Sequence, residues 1–375
     1  MITKHENIFL FKTNYKDIIK KMEEHKNKKI ISLFSGTGGL DRGFENEGYK
    51  IAWANEYDKD IWETYEANFP KTKLSKESIV KIDPAEIPFR PEGIIGGPPC
   101  QSWSEAGSHR GINDDRGKLF FDYIKFIREK RPKFFLAENV AGLLFSRHSD
   151  ALDNIFDNFL ELGYNVSFSL LNANDYGVPQ DRKRVIIVGY PVSYDEHFEP
   201  PKPDEKEDRK TLKDSIWDLR KGARPALEKN RANKKLKTPN HEYMIGNFSS
   251  MYMSRNRVRS WEEPSFTIQA GGRHAPCHPQ APKFQKVHKD LWKYDPSVEE
   301  NKYRRLSVRE CARIQTFPDD HIFHYKNVPD GYKMIGNAVA VDFAARIAKK
   351  IRLDMKRLSN MPIEFNKKGT LQKNI

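Results

Sequence analysis

The stretch IISLFSGTGG, residues 30–39, decides how the rest of the chain is read. IISLF (30–34) is a short, unbroken apolar run, the pattern of a strand buried on both faces. SGTGG (35–39) follows at once, and helix-like DRGFENEG (41–48) comes next. A strand, a glycine turn and a helix form the opening of an α/β unit. In such a unit the backbone can approach a ligand closely at the carboxyl end of the strand.

The same alternation continues outward. KIAWA (50–54) reads as a strand and IWETYEANF (61–69) as a helix. GIIGG (93–97) is a strand, KLFFDYIKFIREK (118–130) has helical periodicity, and KFFLA (133–137) is the next strand. DALDNIFDNFLELG (150–163) is a helix with Gly163 at its stop, and VSFSLL and RVIIVGY close the series. Alternating strands and helices imply an α/β fold with a mostly parallel sheet covered on both faces. The texture changes near Tyr190. PVSYDEHFEPPKPDEKEDRK (191–210) has a linker's proline and charge, and residues 211–320 read as a second, smaller, irregular domain. From Ala338 to about Leu358 a helical pattern returns through Val339, Val341, Phe343, Ile347 and Ile351, and is expected to rejoin the first domain. Residues 1–29 read as an appendage whose short helix Asn14 could cap, with Asp17 at N3.

Composition bounds the function. The net charge of +13 favours a polyanionic partner. The three cysteines, Cys100, Cys277 and Cys311, lie far apart with no CxxC pair, so neither a metal cluster nor a disulfide framework is expected. With no secretory h-region and no apolar run of membrane-spanning length, the expected location is the cytoplasm.

Four strand ends carry polar or reactive groups. The first is SGTGG. The second is Asn55-Glu56, with Glu56 twenty residues after Gly36, where a carboxylate accepts from ribose hydroxyls. The GxGG spacing, rather than GxGxxG, favours adenosine without a pyrophosphate, and S-adenosylmethionine fits that description. A purely structural turn is the alternative. The third end is Pro98-Pro99-Cys100, where two prolines could present a thiol rigidly; a buried structural cysteine is the competing reading. The fourth is Glu138-Asn139-Val140, in which Glu138 could donate to a ring nitrogen or could merely cap or solvate. In QDRKR (180–184), Arg182 and Arg184 point the same way if extended; they could lower a thiol pKa, bind phosphate, or be solvated.

FSGTGG, Glu56, PPCQSWS (98–104), ENV, QDRKR, RRLSVRECARIQTFPD (304–319) and GYKMIGNAV (331–339) occur in this order. The chain thereby resembles the DNA cytosine-5 methyltransferases over about residues 30–350. LLNANDYGVPQDRKR, PNHEY, MSRNRVR, HPQAP and FPDDHIFHY are similar to the restriction–modification members that recognise GGCC. The resemblance implies a class I, Rossmann-like S-adenosylmethionine-dependent catalytic domain at 30–190. A target-recognition domain at 195–325 and a returning segment at 326–358 would follow, with a tail at 359–375. It implies that Cys100 adds to cytosine C6, that Glu138 holds N3 and the exocyclic amine, and that Arg182 and Arg184 orient a flipped-out nucleotide. Phe34, Ser35, Gly36, Thr37, Gly38, Gly39 and Leu40 match the cofactor loop. Glu56, Tyr57, Ile79, Pro99, Leu119, Asn337 and Val339 match further cofactor positions. Ser78 stands where the family commonly has Asp at the adenine edge, so Ser78 or Glu77 makes a substitute contact, or packing holds adenine.

Arginine is the usual bidentate reader of guanine. Arg255, Arg257 and Arg259 alternate in MSRNRVRSW, and Arg273 follows a glycine pair. All four are candidate DNA contacts, with Gln101 and Ser104 from the Cys100 loop. The expected partner is double-stranded DNA with a GGCC site, methylated at the inner cytosine. A cognate endonuclease would be a functional partner of a bacterial, monomeric enzyme. RNA methylation by the same chemistry, an idle DNA-binding relative, and a nicotinamide or flavin oxidoreductase resting only on the glycine loop are the competing readings.

Overall fold

The computed structural model describes residues 28–99, 115–145, 149–248, 253–295, 297–299 and 302–374. The helix expected near Asn14, and the loop residues Cys100, Gln101 and Ser104, lie outside the described residues.

The first part of the chain alternates as expected. β1 (Lys29–Leu33), α1 (Gly39–Asn46), β2 (Lys50–Asn55), α2 (Lys59–Asn68) and β3 (Lys73–Ser75) come first. β4 (Gly93–Gly96), α3 (Asp115–Lys130), β5 (Phe134–Val140), α4 (Ser149–Glu161), β6 (Tyr164–Asn172) and β7 (Lys183–Pro191) follow. Apolar pairs along the strands explain why both faces are covered. Ile30, Ile95, Phe134 and Ile186 pack on one face with Leu40 and Phe44 of α1. Their chain neighbours Ile31, Ile94, Phe135 and Ile187 pack on the other with Phe120 and Ile127 of α3 and Phe159 of α4. A period of two sends neighbouring apolar residues to opposite cores.

The irregular segment holds α5 (Leu212–Ile216), β8 (Arg224–Pro225), β9 (Glu242–Tyr243), β10 (Gln285–His288) and β11 (Leu291–Lys293). Then come α6 (Val308–Ile314), α7 (Val328–Asn337), α8 (Val341–Arg357) and β12 (Leu371–Asn374). The C-terminal helical pattern expected from Ala338 to about Leu358 is the single helix α8, which starts at Val341, and the shorter α7 precedes it across Ala338–Ala340. α8 returns to the first domain and lies on α1, where Ile347 and Ile351 join the core beside Phe44. Gly43 permits the close approach, because a Cβ there would sit 2.4 Å from that of Ala344.

The sheet order is β12-β6-β7-β5-β4-β1-β2-β3, with β7 antiparallel to both neighbours and every other pair parallel. The segment after Leu358, read from sequence as a tail, supplies the eighth strand. Its residues 371–374 pair with Val166–Ser169, and Asn165 Oδ1 accepts from the Thr370 backbone N–H at 3.1 Å. Strand order reverses between β4 and β1, the switch point where open α/β sheets bind ligands. The four strand ends singled out from sequence belong to β5, β4, β1 and β2, which are adjacent in the sheet.

Candidate active site

The glycine loop leaves β1 through two left-handed residues, Phe34 (φ 53°) and Gly36 (φ 55°). Phe34 bears that conformation without being glycine, and strain of this kind persists only where surroundings over-determine it. The Ser35 N–H donates to Asn55 O at 3.0 Å, which ties the loop to the end of β2. Gly38 (φ 83°) caps α1, and a Cβ there would lie 2.1 Å from the Phe69 ring. Thr37, Gly39 and Leu40 are buried beneath the loop, with Gly39 against the carbonyl of Val339.

Glu56 completes this half. Its Oε2 accepts from the Gly36 N–H at 2.9 Å and its Oε1 from the Asp58 N–H at 2.7 Å. Burial pushes the carboxyl up from its ordinary range, against those two hydrogen bonds. A half-buried carboxylate gathered to a glycine loop at a switch point suits a nucleoside's ribose. No neighbour within 4 Å would meet a Cβ at Gly36, so backbone there faces open space. Tyr57, beside Glu56, is 70% exposed. Ser78 precedes a single turn at 79–81, whereas Ile79 is in the core at 3% exposure. The Glu77 carbonyl is taken by Asn55 Nδ2 at 2.8 Å. Leu119 packs on the α3 side of the core, Pro99 is half-buried, and Asn337 is exposed at the end of α7.

The other half forms at β5, β4 and β7. Glu138 and Arg184 are diagonal neighbours across the antiparallel β5–β7 pair, where Glu138 lies opposite Ile186 and Arg184 opposite Val140, and Arg184 Nε donates to Glu138 Oε1 at 2.7 Å. Both side chains are about nine-tenths buried. The other carboxylate oxygen, Oε2, would lie 3.5 Å from a Cβ at Gly97, three residues before Cys100. Asn139 Nδ2 donates to Pro98 O at 3.2 Å and anchors the same loop.

Arg182 departs from the expectation that it joins Arg184 at the nucleotide. It precedes β7, is 2% exposed, and its guanidinium faces inward. It donates to the carbonyls of Ile268 (3.1 Å), Gly336 (2.9 Å) and Ala338 (2.9 Å). Burial first, and Arg184 second, lower its pKa from the ordinary range. Arg182 therefore binds three chain segments together. Arg259 also has partners within the chain. It pairs with Glu263 at 3.0 Å and Asp181 at 3.1 Å and stacks on Phe266. Arg255 and Arg273 are exposed and Arg257 is half-buried. Burial, then Arg257 and Arg273, lower the pKa of His274, which places those two arginines near one imidazole.

Sequence reasoning missed three residues. Asp41 is fully buried under the loop and accepts from Ser32 Oγ (2.5 Å) and Tyr65 OH (2.6 Å), and burial raises its pKa to about 7. His321 sits among Phe69, Phe317 and Phe323, and burial lowers its pKa to about 3. Phe69 and Phe317 also touch the glycine loop, so this aromatic cluster supports it from beneath. Gln180 donates to Gln315 at 3.1 Å and accepts from the Ile268 N–H at 2.9 Å, beside the Arg182 tie. The signal for Asp41 was an acid on the apolar face of its helix. For the others it was only their place within the matched motifs.

A doubly wound sheet with a glycine loop and a carboxylate gathered at its switch point is the architecture of a nucleoside-cofactor α/β enzyme. Residues 28–353 match the C-5 cytosine-specific DNA methylase family, and the chain belongs to that family. It is 56% identical to the type II methyltransferase M.FnuDI of Fusobacterium nucleatum over 86% of this chain and 94% of that one. It is also 56% identical to M.MthTI of Methanothermobacter thermautotrophicus, over 89% and 100%. A solved DNA modification methyltransferase encoded within a prophage of E. coli shares the fold at TM-score 0.66 and 22% identity, over 88% of this chain and 99% of that one. The protein is a type II DNA cytosine-5 methyltransferase of the restriction–modification kind, and its cofactor is S-adenosylmethionine. Among the described residues no helix is long and apolar enough to cross a membrane.

Proposed function

We propose that this enzyme methylates C5 of the inner cytosine of GGCC in duplex DNA through a covalent bond from Cys100 to C6. The observation that carries the reading is the Glu138–Arg184 pair, with the second carboxylate oxygen turned toward the loop leading to Cys100. A stacked base cannot reach a side chain at this strand end, so the cytosine must leave the helix. The Cys100 thiolate bonds to C6 and makes C5 enamine-like. Glu138 hydrogen-bonds N3 and the exocyclic amine as charge develops, and Arg184 fixes the carboxylate. S-adenosylmethionine, when bound, supplies an electrophilic methyl group that C5 accepts. A base removes the C5 proton, the C6–S bond breaks, and Cys100 leaves as thiolate.

Glu56 would hold the ribose, the 34–40 loop the amino-acid end, and Tyr57 with Ile79 the adenine side. Arg255, Arg257 and Arg273 would read guanines. Residues 195–325 serve as the recognition domain in this reading, and the protein acts as a monomer in the cytoplasm. Arg182 is a positioning residue.

The test uses methyl-labelled cofactor and two duplexes, one with a single GGCC and one with GCGC. Label should enter only the GGCC duplex and vanish with Cys100→Ser. Label in both duplexes would overturn the specificity, and label persisting in the variant would overturn the thiol's role.

A further inference from the structure

The antiparallel ribbon β10–β11 carries a cationic surface that the reading above leaves unused. Lys283, Lys286, Lys289 and Lys293 are all exposed, as is His288. Among the described residues none of these lysines is ion-paired. Asp290 at the turn is the ribbon's only acid. Lysine-rich edges often serve only to keep a short ribbon from pairing with another chain, so position must decide between the two roles.

The root of the ribbon is well fixed. The Phe284 N–H donates to Asn256 Oδ1 at 3.2 Å, and Asn256 stands between Arg255 and Arg257. The Cys277 N–H donates to Arg257 O at 3.2 Å. Phe284 packs on Tyr294 and Tyr303, with ring centroids 5.3 and 5.4 Å apart, so the ribbon leaves a rigid aromatic base. From there β10 runs four residues, a reach of about 13 Å at about 3.3 Å per residue. Duplex phosphates recur about every 3.4 Å along each strand, so that reach spans about four base-pair steps.

We infer that the β10–β11 ribbon is a phosphate-contacting arm that grips duplex DNA outside the recognition site. The inference rests on the reading that Arg255 and Arg257 face the DNA. The ribbon's lysines add affinity and no sequence information, because phosphates are alike along the duplex.

The test measures binding of hairpin-closed duplexes with one GGCC, flanked by about three or about ten base pairs, over a range of salt. Wild type should bind the long-flanked duplex more tightly and with a steeper salt dependence. In the variant Lys283→Gln/Lys286→Gln/Lys289→Gln/Lys293→Gln, the slope on the long duplex should fall by about 0.9 for each lost phosphate contact. Charge reversal by Lys286→Glu/Lys289→Glu should flatten it more than the neutral pair Lys286→Gln/Lys289→Gln. A slope unchanged from wild type on the long duplex overturns the inference, and aggregation alongside that unchanged slope assigns the lysines to edge protection. Failure of wild type to prefer GGCC over GCGC on the short duplex instead overturns the recognition reading, and leaves the flank result to be judged separately.

Discussion

In the sheet, Glu138 and Arg184 meet because β5 and β7 pair in unbroken register from Phe135–Gly189 to Val140–Arg184. In the segment 205–325, only two short ribbons exist among the described residues, and geometry is held by buried side chains instead. Arg304 grips Glu310 at 2.8 Å through both carboxylate oxygens. Arg309, 1% exposed, donates to the carbonyls of Pro239, Pro318 and His321. His241 bonds Ser307 Oγ and Leu219 O, and Glu310 accepts from the Ser307 N–H in a capping box. A backbone ladder tolerates exchange of polar side chains. A network of buried guanidinium and carboxylate groups does not, since removing one partner strands the other in low dielectric. The strand framework of the sheet is thus less sensitive to exchange of single polar side chains, while the 205–325 segment depends on individual buried ion pairs.

Four experiments press on this contrast. Arg304→Ala should have the largest effect. It leaves Glu310 buried without its main partner and should destabilise the 205–325 segment by about 3–5 kcal/mol. Urea unfolding followed by hydrogen exchange should show that segment opening before β1, β4 and β5, and simultaneous opening would erase the contrast.

Asp41 tests whether the sheet half harbours one such group. Its folded pKa, about 7, lies above the ordinary value of 3.8, so the fold binds more protons than the unfolded chain between those limits. The associated stability is fully present below about pH 4 and declines as pH rises toward about 7, by up to about 4 kcal/mol. Asp41→Asn should remove that slope, so its melting temperature should gain on wild type between pH 5 and pH 8. Parallel pH profiles would refute the assignment.

Arg182→Met should come next, at about 2–3 kcal/mol, because three buried carbonyls lose a charged donor. Since it ties Ile268 to the 336–338 turn, kcat should fall while Glu138–Arg184 geometry persists. An unchanged kcat would confine Arg182 to stability. Tyr57→Ala should be smallest, within about 0.5 kcal/mol in melting experiments, because the ring is largely exposed. It should raise the KM for S-adenosylmethionine several-fold, and an unaltered KM would remove Tyr57 from the cofactor site.

The same contrast governs what could be read from the residues alone. IISLF, FFLA and VIIVG announce buried strands because their apolar pairs have no other low-energy setting, and the four polar strand ends follow from them. LQKN has no such pattern. It becomes β12 only because β6 offers a free edge and Asn165 holds Thr370. The inward turn of Arg182 was illegible because its acceptors are carbonyls 86 to 156 residues away. Arg259 follows from the same limit, since Asp181 lies 78 residues off in sequence. The short side-chain spacing of QDRKR and MSRNRVR suggested shared faces, whereas tertiary partners divided them.

The docking of α8 on α1 has a consequence for the order of events during synthesis. Ile347 and Ile351 cover apolar surface around Phe44, made some 300 residues earlier. At about 5–20 residues per second, that surface waits for tens of seconds before its cover exists. Contacts so distant along the chain also slow the final closure itself. The first half of the fold must therefore survive translation with one face of its oldest helix bare. Until α8 has settled, the interval is one of exposure for the nascent chain.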